Sequence, residues 1–276
     1  MDFRTIVAIE EAAVKIEPLV PLLFVGSCFA DSIGRRFAEE RFPATVNPYG
    51  VMYNPASVLH TVERWVAEQD HRVPPFTFLT LGTNHVYRLR ETGEIVDNCQ
   101  KRPQRLFREE VLTVEQCVGF LAGTVEALRR RRDDAQVIVT VSPIRYAKYG
   151  FHGSQLSKAT LLMAADELVG RYPGCVTYFP AYEIVLDELR DYRFYQPDML
   201  HPSAQTVEYI WERLTETLLS ARARQFLAEW KPVKQALAHR PFHPESMEYR
   251  QFMAETRQRE QDLLRRYGHE PSTISK

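Results

Sequence analysis

Ser27 and the pair Asp198/His201 are the residues whose types and spacing suit covalent chemistry. Ser27 follows the apolar run Leu22-Leu23-Phe24-Val25 and then Gly26, at a turn from strand to helix. Gly26 permits a tight backbone there. The start of the next helix supplies free N–H groups and the positive end of a dipole. A serine so placed suits nucleophilic attack with oxyanion donors beside it, although serine after a strand also serves as a helix cap. A nucleophilic serine needs a base. Asp198-x-x-His201 offers a loop histidine with a carboxylate three residues before it, which can orient the imidazole and stabilise its charged form. Cys28, directly after Ser27, is either a second nucleophile or a small buried residue of the first helical turn.

These side chains need a scaffold, and the apolar pattern provides one. Runs at 22–25, 44–46, 76–81, 137–141 and 176–179 read as buried strands of a parallel sheet. Helical patterns cover 31–41 (capped by Asp31 or Ser32), 56–69, 114–131, 155–171 and 203–223, and Thr113 with Gln116 forms a capping box. The expected fold is α/β: a three-layer α/β/α sandwich around a five-stranded, mostly parallel, doubly wound sheet. In such a sheet ligands bind outside the carboxyl ends of the strands. That edge collects Gly26-Ser27-Cys28, Asn47-Pro48-Tyr49-Gly50, Gly82-Thr83-Asn84 and Ser142-Pro143-Ile144-Arg145. Residues 84–112 are too long for a plain connection, and 86–90 with 95–96 form a hairpin around Gly93. The expected organisation is a catalytic-type domain over 1–225 and a helical C-terminal extension, or partner-binding tail, over 226–276.

Composition removes other classes. The chain has 276 residues and a formal net charge of −1, so no overall field draws it to nucleic acid. The run Arg129–Arg132 is a solvated helix end. No window approaches the roughly 18–20 uncharged apolar residues of a membrane helix. Glu10, Glu11 and Lys15 sit where a signal peptide would be apolar. Cys28, Cys99, Cys117 and Cys175 are widely spaced and without a CxxC pair, which suits reduced thiols in the cytoplasm. No metal is expected, because Pro241 keeps His239 and His243 off one helical face.

Phe24-Val25-Gly26-Ser27-Cys28-Phe29-Ala30 resembles the signature of the GSCFA family, which itself resembles the SGNH (GDSL-like) hydrolase superfamily. Further blocks follow in collinear order over about residues 20–215. They are residues 47–55, Thr80-Leu81-Gly82-Thr83, residues 97–103, Val141-Ser142-Pro143-Ile144-Arg145 with Leu156-Ser157-Lys158-Ala159, residues 178–183, residues 191–195, and the Asp198/His201 block. The resemblance implies Ser27 as nucleophile, Asp198 and His201 as its partners, and the Gly50 backbone as an oxyanion donor. It implies Asn84 as the side-chain oxyanion donor, with Asn54 competing, although His85 stands where the superfamily's G-x-N-D block has aspartate. Arg145, Lys148 and Ser142 are candidates for substrate binding, the first two toward an acidic group. Lys158 and Lys101 lie in family-like blocks, either as site residues or as helix-capping or carboxylate-pairing ones. Asp191, Tyr192, Arg193 and Tyr195 are expected to build the loop under Asp198 and His201, with a buried Arg193–carboxylate pair. His85 and His152 either line the pocket or are structural. The implied activity is hydrolysis or transfer of an acyl group on a small-molecule or glycan ester, without a cofactor. The alternatives are a non-catalytic binding protein on the same scaffold and a nucleic-acid module.

Overall fold

Successive side chains of a strand point to opposite faces, and here both faces are apolar. Leu23, Val25, Leu79, Leu81, Val137 and Val139 fill one half of the core, while Leu22, Phe24, Phe76, Phe78 and Ile138 fill the other. This is why the computed structural model, which describes residues 4–68, 73–97 and 99–268, has helices on both sides of one sheet. Gln69, Asn98 and Pro271, which the sequence reading included, lie outside the described residues.

The sheet contains β1 (Leu22–Gly26), β2 (Ala44–Val46), β3 (Phe76–Leu81), β7 (Gln136–Val141) and β8 (Val176–Tyr178). All pairs are parallel, in the order β2-β1-β3-β7-β8. Helices α2 (Pro55–Glu68), α3 (Val114–Arg129) and α4 (Gly150–Arg171) cover the first face. Helices α1 (Cys28–Glu39), α6 (Ala204–Leu218), α7 (Ala221–Leu237) and α8 (Met247–Gly268) cover the second. Chain direction across the sheet reverses at β1, which puts the turn after β1 at the switch point where α/β sheets bind ligands.

Several boundaries differ from the sequence reading. Helix α1 begins at Cys28, because Ser27 is its N-cap. Asp31 is not a cap: its carboxylate accepts the Asn47 side-chain amide at 2.7 Å. The helix expected over 203–223 is two helices, broken where Leu219 is extended and Ser220 caps α7. The expected boundary at residue 225 falls inside α7, whose Phe226, Trp230 and Val233 pack with Phe37, Phe42 and Trp211. The hairpin in 84–112 is part of a three-stranded antiparallel sheet, β5-β4-β6, made of β4 (His85–Leu89), β5 (Ile95–Val96) and β6 (Phe107–Val111).

Candidate active site

The turn after β1 is built around Gly26. Its φ is +146°, and a Cβ there would lie 2.2 Å from the Thr80 carbonyl oxygen. Glycine alone lets β1 end this close to β3. Asn47, with a left-handed φ of 41°, holds the turn from the other side, accepting from Gly26 N–H at 2.9 Å through Oδ1. Ser27 is only 2% exposed. Its Oγ lies 3.1 Å from Thr80 Oγ1 and accepts the Phe29 N–H at 3.3 Å. Its own N–H donates to the Thr80 carbonyl at 2.9 Å. Gly82, at the exit of β3, packs against it: a Cβ on Gly82 would sit 3.4 Å from Ser27 Cβ.

The Asp198/His201 pair is formed within one loop. His201 Nδ1 lies 2.6 Å from Asp198 Oδ2, and Asp198 Oδ1 accepts the backbone N–H groups of His201 and Leu200 at 3.0 and 2.9 Å. Those two N–H groups, and then the imidazole, hold the Asp198 carboxyl down to about 2. The loop is closed by Gln196 N–H donating to the His201 carbonyl at 2.7 Å. Arg145, just past β7, secures it to the sheet edge. Its backbone N–H donates to the Leu200 carbonyl at 3.0 Å and its Nη1 to the Met199 carbonyl at 2.8 Å. Ser27 and His201 therefore belong to the same edge of the sheet, after β1 and beside the exit of β7. No hydrogen bond joins them, because Ser27 Oγ is turned to Thr80.

Two of the expected oxyanion donors, Gly50 and Asn84, are engaged elsewhere. Gly50 N–H donates to the Asn47 carbonyl at 2.8 Å, closing a turn. Asn84 is buried, and its Nδ2 donates to the Leu112 carbonyl at 2.8 Å, so it fastens the base of the inserted sheet. Asn54 caps α2, accepting Ser57 N–H at 2.9 Å through Oδ1. Its Nδ2 has no partner among the described residues.

Two of the expected substrate-binding residues, Ser142 and Lys148, make their contacts within the protein. Ser142 is fully buried, and its Oγ accepts the Ile144 N–H at 3.3 Å. Lys148 meets Glu109 at 2.9 Å and also the Tyr87 and Tyr149 hydroxyls, tying the inserted sheet to the chain after β7. Arg193 is exposed, and its pair with Asp191 is a surface one at 3.2 Å. His85 stacks on Tyr149 with ring centroids 3.6 Å apart, and His152 is exposed on α4. Cys28 Sγ lies 3.6 Å from the Tyr53 hydroxyl, in a helical first turn. Sequence reasoning gave Asn47 and Thr80 no role, because their work is done by contacts between strands.

Lys158, one of the two lysines in the family-like blocks, is set between two strand exits. It is 2% exposed and donates to the carbonyls of Gly82 at 2.8 Å and Ser142 at 2.7 Å. It therefore bridges the exits of β3 and β7. Burial lowers its pKa to about 7. The neighbouring Ser157 Oγ lies 3.1 Å from Thr83 Oγ1 and accepts Asn84 N–H at 3.0 Å. One turn of α4 thus organises the loop beside Ser27.

Among solved structures, the chain is similar to a member of the lipolytic protein G-D-S-L family from Veillonella parvula DSM 2008, at 12% identity over 71% of this chain and 96% of that one, with a TM-score of 0.48. It is also similar to a carbohydrate esterase family 3 protein from Talaromyces cellulolyticus (12% identity, 76% and 98% covered, TM-score 0.45). A third is AlinE4, a SGNH-hydrolase family esterase (15% identity, 73% and 95% covered, TM-score 0.40). Overlaps this loose assign no role to any residue. No curated protein matches the chain. The C-terminal domain model of GSCFA domain proteins matches residues 230–269. The model of the GSCFA family itself matches residues 21–75 and 72–214, most of the chain and both halves of the site, and the chain belongs to that family.

Proposed function

We propose that this protein is a serine hydrolase or acyltransferase acting on an ester of a small molecule or glycan. The observation that carries the reading is the Asp198–His201 pair, fixed at 2.6 Å on a loop secured to the sheet edge that bears Ser27. In the reaction, Ser27 Oγ leaves Thr80 for the imidazole, gives its proton to His201 and attacks the acyl carbon. The imidazolium returns the proton to the leaving alcohol. Water or an acceptor then releases the acyl group from Ser27. Asp198 keeps the imidazole oriented and stabilises its charged form. The Cys28 N–H, first in α1, and Asn54 Nδ2 are the donors for the oxyanion, since both lack an acceptor among the described residues. The four cysteines are free thiols, which fits a cytoplasmic setting as part of the same reading.

The test is labelling with a fluorophosphonate probe and hydrolysis of 4-nitrophenyl acetate. Labelling at Ser27 is expected, lost in Ser27→Ala and in His201→Ala. Asp198→Asn should lower kcat by about 10⁴, and Asn54→Ala by about 10²–10³. Ser27→Ala hydrolysing the ester at the wild-type rate would overturn the assignment. A second reading, a non-catalytic binding protein, is favoured by one observation: Ser27 Oγ and N–H, Gly50 N–H and the Asn84 amide are all engaged within the protein. That reading requires that no probe attaches to Ser27 at any pH between about 6 and 9.

A further inference from the structure

A cavity of about 250 Å³ shares Arg145 with the loop that carries His201. Its wall nearest the loop is Arg145, whose Nη1 is spent on the Met199 carbonyl. The Nε and Nη2 groups of Arg145 have no acceptor among the described residues. The guanidinium is held in place by aromatic rings, 4.0 Å from the Phe151 centroid, 5.7 Å from Tyr192 and 5.5 Å from Tyr195. Arg190, at the end of the π-helical stretch Ile184–Leu189, also lines the cavity. Its backbone takes the left-handed conformation, φ 49°, and its N–H donates to the Val185 carbonyl at 3.1 Å. The Arg190 guanidinium likewise has no acceptor among the described residues.

The acceptors in the lining are already used. Asp191 is its carboxylate, with Oδ1 accepting the Arg193 N–H at 2.8 Å and Oδ2 paired with Arg193 Nη2 at 3.2 Å. Gln155 Oε1 accepts the Tyr182 hydroxyl. The cavity thus presents two guanidinium groups, an amide N–H₂ and two tyrosine hydroxyls, against one carboxylate, Asp191, which is paired with Arg193. A guanidinium fork matches a planar carboxylate through two parallel hydrogen bonds. The faces of Tyr192 and Tyr195 beside it offer a surface on which a ring can lie.

We propose that this cavity is a subsite for a carboxylate-bearing sugar, placed so that an ester on the same glycan reaches Ser27. The assignment rests on the hydrolase reading for its purpose but not for its chemistry. The carboxylate is held between Arg145 and Arg190, with the sugar ring against the tyrosines. A ligand there touches the residue that fixes Met199 and Leu200, so binding it stiffens the loop under His201.

The experiment is a titration of the full chain with glucuronate, glucose and inorganic phosphate, followed through the arginine Nε–H signals by NMR. Glucuronate is expected to shift the Arg145 and Arg190 signals to saturation, and glucose to leave them in place. Arg190→Ala should weaken glucuronate at least about tenfold, since it removes charge-assisted bonds, and Arg190→Lys should recover only part of the loss. Equal responses to glucose and glucuronate, tighter binding of phosphate than of glucuronate, or an unchanged affinity in Arg190→Ala would each overturn the proposal. Hydrolysis of 4-nitrophenyl acetate is measured in the same preparation. Ester hydrolysis without glucuronate binding removes the subsite alone, and glucuronate binding without Ser27-dependent hydrolysis removes the hydrolase reading alone.

Discussion

Among the described residues Lys158 carries its charge to no carboxylate but to the carbonyls of Gly82 and Ser142, with the Tyr182 ring centroid 5.9 Å away. Taking an ammonium out of water disfavours its charged form, which is why its pKa falls to about 7. The linked effect on stability has a definite sign. An unfolded chain holds this proton up to about pH 10.4, so between about 7 and 10.4 the unfolded state binds more protons than the folded one. Stability supplied by this site therefore rises with pH across that window, by up to about 1.4 kcal/mol per pH unit, and is flat below it. Urea unfolding of the wild type and Lys158→Met across this range should differ by that slope, and parallel curves would contradict it. The turn from strand to helix at Ser27 and the pairing of Asp198 with His201 were legible from residue type and spacing. The partners of Lys158 were not, because a lysine in a helix is ordinarily a surface residue and only the packing of α4 buries this one. Asn84 misled for a related reason: its neighbours in sequence resemble an oxyanion block, while its amide faces Leu112, 28 residues on.

At the scale of elements, the turn from β1 to α1 depends on a position with no side chain. Gly26→Ala places a methyl group against the Thr80 carbonyl, in a strand fully buried on both faces. We expect a loss of at least about 3 kcal/mol, the range of buried clashes and backbone strain, together with loss of Ser27 reactivity. Denaturation midpoints and probe labelling check both. Strands β1, β3 and β7 were readable because each is a short, mostly apolar run buried on both faces, while β2, with Thr45 exposed, gives only a weak signal. Strand β6 was not, since Phe107-Arg108-Glu109-Glu110-Val111 has charges through its middle. Its pairing rests on β4 backbone contacts and on Arg88 meeting Glu110 at 2.9 Å. The break between α6 and α7 was missed because helical spacing of apolar residues runs on across Leu219.

For the whole molecule, the C-terminal helices are part of the core. Trp230 is 1% exposed, and its Nε1 donates to the Glu39 carbonyl at 3.3 Å at the end of α1. Arg41 lies over the same ring at 5.0 Å. Trp230→Ala should cost about 3–5 kcal/mol, and it should lower a single unfolding transition seen equally by tryptophan fluorescence and by far-ultraviolet circular dichroism. Separate transitions would mean that α7 and α8 fold as a unit of their own. The sequence reading placed these helices but not their contacts, since their surfaces are rich in charge and their buried stripe is narrow.

The two hydrogen bonds that join Met199 and Leu200 to the exit of β7 both come from Arg145, one of them from its main chain. A loop suspended from a single residue cannot leave the sheet edge without releasing that residue's amide proton to solvent. The deuterium exchange rate of the Arg145 amide is then a direct count of how often the loop swings away, a clock for the histidine that can be read before any substrate is known.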